Sequence, residues 1–238
     1  MLKQYYLGTN IKCKANSFNF MEGLAFYIQI FGNEVYNKIN RTKGVGTMFK
    51  YDINEDAYLK LLDLSDVHDL FALTDRSRDT LREWLPFVDG VQTVKDTEAF
   101  VKKAMQQYAD NDGIQAGIYY DGQLAGVIGY HQINWQHKWT SIGYWLGNEF
   151  VGKGLVTNSM KALIDYAFHY LKLHRIEVRV AVGNIRSRTI PKVLGFHEEG
   201  RLRDAEWLYD HHVDQVVYGI TAAEWKKIKM TNEATVAL

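Results

Sequence analysis

The chain of 238 residues holds one cysteine, Cys13. A single thiol cannot close an internal disulfide and leaves no cysteine-based zinc site; such thiol poverty suits a reducing cytosol. Proline is nearly as scarce, with only Pro86 and Pro191. A charge excess is missing too, since Lys+Arg 28 balance Asp+Glu 28. Proteins that live on nucleic acid or acidic lipid usually carry a basic surplus, so neither direct nucleic-acid binding nor a membrane partner is expected. No apolar run approaches a membrane span; the best candidate, Leu24 to Phe31, is short and contains Gln29. The first residues lack the basic start, apolar middle and small-residue end of a signal peptide, and a cytoplasmic location is the expectation. What is present, 47% hydrophobic and 24% charged residues, describes an ordinary folding chain long enough for one full core.

The first 47 residues are a different text. They hold six Lys/Arg against two Asp/Glu, a net of +4, while all six Trp and both Pro come later. They show no clear period of 2 or 3.6. Lys43 to Met48 back-translates to a string resembling a ribosome-binding site at start-codon spacing. One reading is a small accessory unit. The reading adopted is an N-terminal extension over 1–47 outside the native domain, a natural start at Met48, a domain over 48–230 and a tail over 231–238.

From Met48 onward the patterns predict two short extended segments over 49–62 and a helix capped by Ser65 or Asp66. A short helix should close at Leu81–Pro86, and another, capped by Thr97, should bury Phe100, Val101, Ala104, Met105 and Tyr108. Strands follow at Ile114–Tyr120 and Leu124–Ile133 around an Asp121-Gly122 turn, and at about Lys138–Leu146. A helical stripe then runs from Val156 to Leu171. Arg175–Val182 alternates apolar and charged residues, as a strand with one buried face does. A short helix over Asn184–Leu194, two strands over Glu198–Glu206 and Val213–Thr221 with a turn at Asp210–His212, and a last helix complete the reading.

The turn Phe150-Val-Gly-Lys-Gly-Leu155 carries the chemistry. Its two glycines permit close approach, and the helix it opens offers unpaired N–H groups and a positive dipole end, which suit an anion. The candidates are a nucleotide and the pyrophosphate of coenzyme A. The Walker pattern fails because no Ser or Thr follows Gly154; the dinucleotide pattern fails because Thr157 stands at its third glycine. His211-His212 has no partners at metal-ligand spacing, so a plain polar turn is expected there and no metal site.

Context narrows the choice. Ile142-Gly-Tyr-Trp-Leu146, Gly152-Lys-Gly-Leu155 and Tyr166-Ala-Phe168 resemble the acetyl-CoA-binding region of the GNAT superfamily of N-acetyltransferases. Asn184-x-x-Ser187 and Leu194-Gly-Phe196 resemble its next motif. Leu81-Arg-Glu-Trp-Leu-Pro86 and Tyr209…Asp214 resemble the RimJ/RimL family of ribosomal-protein acetyltransferases. The resemblance implies an α/β fold, a mixed and mostly antiparallel twisted sheet with helices on both faces and a splayed central parallel strand pair. It implies acetyl-CoA as cosubstrate and direct acetyl transfer to a primary amine, with a ribosomal-protein N-terminus as the leading acceptor and a small amine as the alternative. A non-catalytic acyl-CoA-binding module is the rival from another class, and a homodimer is left open. By resemblance, Tyr144, Trp145 and Leu146 face the pantetheine and thioester, while Val151, Gly152, Lys153, Gly154, Leu155 and Val156 form the pyrophosphate turn. Val151 and Val156 depart from the family's polar and small residues. Asn184 matches a pantetheine contact, Ser187 the acid that protonates the thiolate, and Glu206 the base. Glu149, Asp204 and Tyr144 are lesser candidates, and Trp84, Phe87 and Trp207 are candidates to line an acceptor groove.

Residues 48–238 expressed alone should melt within a few degrees of the full chain and bind coenzyme A equally well. A large loss of either would make 1–47 part of the folded domain.

Overall fold

The computed structural model describes residues 50–236, with side chains through Thr231. The reading of 1–47 as an extension with a start at Met48 lies outside the described residues. Strands β1 (Lys50–Asp52) and β2 (Ala57–Leu61) are followed by helices α1 (Val67–Arg76), α2 (Arg78–Arg82) and α3 (Val94–Ala109). Then come β3 (Ile114–Tyr120), β4 (Gln123–Asn134), β5 (Trp139–Leu146) and α4 (Leu155–Asp165). Strand β6 (Arg175–Ala181), α5 (Ile185–Val193), β7 (His197–Leu208), β8 (His211–Thr221) and α6 (Ala222–Val236) end the chain. Among the described residues, no helix is long and apolar enough to cross a membrane.

The strands form one eight-stranded sheet in the order β1-β2-β3-β4-β5-β6-β8-β7. Every neighbouring pair is antiparallel except β5 and β6. That parallel pair is brief: Trp139, Thr140 and Ser141 align with Arg175, Ile176 and Glu177, and pairing stops there. On its other side β5 stays bonded to β4 as far as Leu146 opposite Gly126, and β6 to β8 as far as Ala181 opposite Gln215. The two strands therefore part while each remains anchored. Helices cover both faces. The Tyr130 hydroxyl donates to the Leu163 carbonyl of α4, whereas Val127, of opposite parity on the same strand, lines the side that carries Leu70 of α1 and Phe100 of α3. Ile118, Ile128, Ile142, Met160, Ile164, Ile176 and Ile220 are fully buried between these layers.

Several expected boundaries shift for identifiable reasons. Thr93, not Thr97, opens α3, because Asp96 three residues on accepts from the Thr93 backbone N–H at 2.8 Å in a capping box. Thr97 is instead buried inside the helix, while Phe100, Met105 and Tyr108 stay partly exposed. The Val156–Leu171 stripe is α-helical only to Asp165 and then widens into a π turn over Tyr166–Tyr170, closed by Leu171 N–H to the Tyr166 carbonyl at 3.1 Å. The last hairpin turns at Tyr209-Asp210, where Tyr209 takes φ 60°, so both strands run longer than the pattern suggested. Asp121 and Gly122 both take positive φ, as a two-residue hairpin turn requires.

Candidate active site

The parting of β5 and β6 opens a cleft of about 740 Å³. One wall is the free edge of β5, where main-chain groups beyond Ser141 have no ladder partner on the β6 side. Tyr144, Trp145 and Leu146 lie on this stretch. Past it, a 3₁₀ turn over Asn148–Phe150 leads into the glycine turn. Gly152 sits at φ 86° and Gly154 at φ 71°, both left-handed. A Cβ on Gly152 would meet nothing within 4 Å, and one on Gly154 only Asn158 Nδ2 at 3.9 Å. The space in front of the first N–H groups of α4 is therefore open, and those groups suit an anion. Val156, which departs from the family pattern, is buried in the core, so its bulk does not face that space. Lys153 leans over the Tyr120 ring, with Nζ 4.9 Å from the centroid.

The opposite wall is the start of α5. Asn184 is its N-cap, with Oδ1 accepting from Ser187 N–H at 3.0 Å. Four residues after Ser187, Pro191 has no N–H to give the Ser187 carbonyl. Tyr144 fills that gap from across the cleft: its hydroxyl donates to the Ser187 carbonyl at 3.0 Å. The Ser187 hydroxyl donates in turn to Tyr144 Oη at 3.1 Å. Burial pushes the Tyr144 phenol up to about 12, against the lowering effect of Ser187, so it remains a proton donor at neutral pH. The two residues form a short hydroxyl chain tied across the mouth of the splay.

Glu206, on β7, lines the same cleft and accepts from Gln215 Nε2 at 2.9 Å. It is the one Asp or Glu among the described residues that line it. The lesser candidates lie elsewhere. Glu149 is ion-paired with Arg76 at 2.6 Å, its carboxyl held down by its own backbone N–H and by that guanidinium. Asp204 is exposed, and its backbone N–H donates to Asp214 Oδ1 at 2.8 Å. Trp84 and Phe87 line the cleft, but Trp207 is exposed and turns its ring edge-on to His212, 4.8 Å between centroids. His211 bonds Asp210 on the outer turn. Among the described residues no three His, Cys, Asp or Glu gather as a metal site.

Two features escaped the sequence. His131 lines the cleft beside a β4 irregularity, and its side chain lies against Gly143. The roof is tied down from a distance: the Tyr209 hydroxyl donates to the Leu85 carbonyl at 2.6 Å, and the Arg82 guanidinium sits 4.0 Å over the Tyr209 ring. The Leu-Pro and Tyr…Asp motifs marked these segments, but no spacing rule joins positions 124 residues apart.

A splayed parallel pair in a mostly antiparallel sheet, with a glycine turn opening a helix at its end, defines a coenzyme A-dependent acyltransferase of the GNAT class. The acetyltransferase (GNAT) domain family matches residues 57–197, and the chain belongs to it. It is 38% identical over 181 residues, 75% of this chain and 98% of the relative, to "Putative ribosomal N-acetyltransferase YdaF" of Bacillus subtilis. It is 27% identical over 166 residues, 70% of this chain and 93% of the relative, to the ribosomal-protein-serine acetyltransferase of Escherichia coli. Among solved structures, the microcin C7 self-immunity acetyltransferase MccE, in complex with acetyl-CoA and AMP, superposes with a TM-score of 0.69 at 27% identity, over 71% of this chain and 94% of that one. The protein is an acetyl-CoA-dependent N-acetyltransferase.

The tie between Tyr144 and Ser187 makes a stability prediction. Tyr144→Phe leaves the Ser187 carbonyl without its donor and should cost about 1–3 kcal/mol in a urea melt. In a Pro191→Ala background the helix regains its own N–H donor, so the same substitution should cost clearly less. Equal costs in both backgrounds would show that the carbonyl does not depend on Tyr144.

Proposed function

We propose that the acceptor is a single primary amine at a protein N-terminus, with a ribosomal protein as the leading case, and that Ser187 and Glu206 manage the protons. The observation that carries this reading is that Ser187 and Glu206 line one cleft together with Tyr144 and Trp145 of the unpaired edge of β5. The β5 edge at Tyr144, Trp145 and Leu146 holds the pantetheine arm and directs backbone N–H groups to the thioester carbonyl. The turn from Val151 through Gly152, Lys153, Gly154, Leu155 and Val156 cradles the diphosphate with main-chain N–H groups, so the loss of a polar side chain at 151 matters little. Asn184 caps its helix through Oδ1, which leaves Nδ2 to donate to the arm.

The reaction joins the amine nitrogen to the acetyl carbon as the carbon–sulfur bond breaks. Glu206 supplies the negative charge that draws in the acceptor ammonium and the basic side of the cleft that takes its proton. Ser187 gives a proton to the leaving thiolate, its hydroxyl swinging to the sulfur from the Tyr144 oxygen that accepts from it. One lining carboxylate matches one ammonium. An N-terminal amine brings one positive charge, whereas a polyamine brings several, so the cleft favours the former. A non-catalytic acyl-CoA-binding module would need neither Ser187 nor Glu206. Acetyl-CoA and nascent ribosomal proteins share the cytosol, and we place the protein there.

Turnover against a panel of ribosomal N-terminal peptides, polyamines and aminoglycosides tests the acceptor; a polyamine turned over best would sink this reading. Gly154→Val should weaken coenzyme A binding in calorimetry more than it lowers the melting temperature, because a branched Cβ resists φ 71° and fills the open cradle. Unchanged affinity would put the diphosphate elsewhere. Ser187→Ala and Glu206→Gln should each lower kcat about a hundredfold to ten-thousandfold with acetyl-CoA affinity nearly intact. The Glu206→Gln loss should shrink as pH rises and the amine deprotonates unaided; a wild-type rate across the pH range would remove Glu206 from the chemistry.

A further inference from the structure

The basic side of the cleft holds a second group that the resemblance to known acetyltransferases does not supply. Strand β4 loses register with β5 between Tyr130 and Ile133, so His131 and Gln132 bulge from the ladder and both reach the cleft. Bulges beside active sites commonly re-aim a side chain in this way. The His131 ring lies over Gly143 of β5, and a Cβ at 143 would collide with Nε2. Nδ1 sits 3.1 Å from Ser141 Oγ on the same strand. With Nδ1–H given to that hydroxyl, Nε2 keeps its lone pair, over Gly143 and one residue before Tyr144, on a side chain that lines the cleft.

The charges around the ring are few. Glu206 of β7 and Arg179 of β6 line the same cleft and act on the ring by charge, and Glu177 engages Arg179 at 3.2 Å. Strand β5 contributes the uncharged Ser141 and Gly143, β3 contributes Gln115, and α3 contributes Gln107, which bonds the His131 carbonyl. Desolvation holds the imidazole below its ordinary value; Glu206 opposes this and Arg179 adds to it. The ring is thus neutral and able to accept a proton at pH 7.

We propose that His131 and Glu206 act together as the base of the transfer: Glu206 anchors the acceptor ammonium by charge, and Nε2 of His131 receives its proton. The inference rests on the acetyl-transfer reading above and deepens it. The ammonium loses one proton to Nε2, giving free amine and imidazolium. The amine nitrogen bonds to the acetyl carbon as the carbon–sulfur bond breaks. The nitrogen's second proton is released and balances the one the sulfur takes up, and the imidazolium returns its proton to solvent. An imidazole ordinarily titrates closer to an α-ammonium than a carboxylate does, an advantage that desolvation of His131 narrows and the charge of Glu206 partly restores.

The test combines pH profiles of kcat/KM for an N-terminal peptide with NMR titration of the His131 ring in the full chain. The wild-type acidic limb should fall at or below about pH 6.5. His131→Asn and His131→Gln should lose about a hundredfold to ten-thousandfold at pH 7, move the limb up toward the amine's own value, and leave acetyl-CoA affinity unchanged. Glu206→Gln should move the His131 titration to lower pH and Arg179→Gln to higher pH, opposite shifts that a merely structural histidine would not pass on to the kinetic limb. Wild-type rate and limb in both His131 variants would overturn the inference while acetyl transfer stands. A His131 titration unmoved by Glu206→Gln would also overturn it. If the wild type acetylated no amine, the acetyl-transfer reading would fall, and the titration shifts would still judge whether the two side chains form a pair.

Discussion

The site depends on the point where β5 and β6 stop pairing. Three residues of parallel ladder hold the strands together, and beyond Ser141 and Glu177 they share no bonds. A sheet interior normally pairs all its main-chain groups, because a buried unpaired group forfeits about 1–3 kcal/mol. Here the strands can part because each keeps its other neighbour, β4 for β5 and β8 for β6, to the end of its length. The gap has rigid walls and unpaired amides and carbonyls on its inner edge. Such an edge is suited to a ligand that is itself a chain of amides.

What sits at the ends of the gap follows from short stretches of sequence. At the far end of β5, left-handed Gly152 and Gly154 turn the chain into α4 with open space before its first N–H groups. At the end of β6, Asn184 starts α5 and Pro191 withholds one N–H from it. That missing donor is what brings the Tyr144 hydroxyl to the Ser187 carbonyl and places the Ser187 hydroxyl on Tyr144. A proline that would merely kink an isolated helix becomes here a reason for two candidate residues on separate elements to meet.

Much of this was legible because it is local. The alternation over Arg175–Val182, the Asp121-Gly122 turn and the glycine turn before α4 are each set by neighbours in sequence, and all appear where the patterns put them. Thr97 was mistaken for a cap because threonine suits that place, yet the capping box needs the acid three residues on, and Asp96 makes Thr93 the cap. The π turn after Asp165 was hidden because its apolar residues keep a helical stripe while the hydrogen bonds widen. Val156 departs from the family's small residue, and its burial shows that the added bulk points into the core. His131 was missed for a different reason. It follows an unbroken buried run from Leu124 to Tyr130 and reads as a polar residue where the strand frays; only the register shift opposite β5 and the missing Cβ of Gly143 give it a place in the cleft.

The roof and the basic wall are also one mechanical unit. Tyr209, at the tip of the β7–β8 hairpin, holds the Leu85 carbonyl, and Arg82 packs over its ring while bonding Asp89 at 2.8 Å. Glu206 stands three residues before that tip, fixed to Gln215 of β8. Phe87, beyond Pro86, tilts toward Trp145 on the free edge of β5, 6.3 Å between centroids. Trp84 reaches across to Gly183 just before α5, where a side chain would come within 3.2 Å of the indole. The segment from Trp84 to Phe87 thus bridges both walls of the splay while one hairpin holds both that segment and the carboxylate. A rigid shift of the hairpin would move the Trp84–Phe87 segment and Glu206 together, so the opening of the cleft and the position of its one lining carboxylate among the described residues are set by the same two-residue turn.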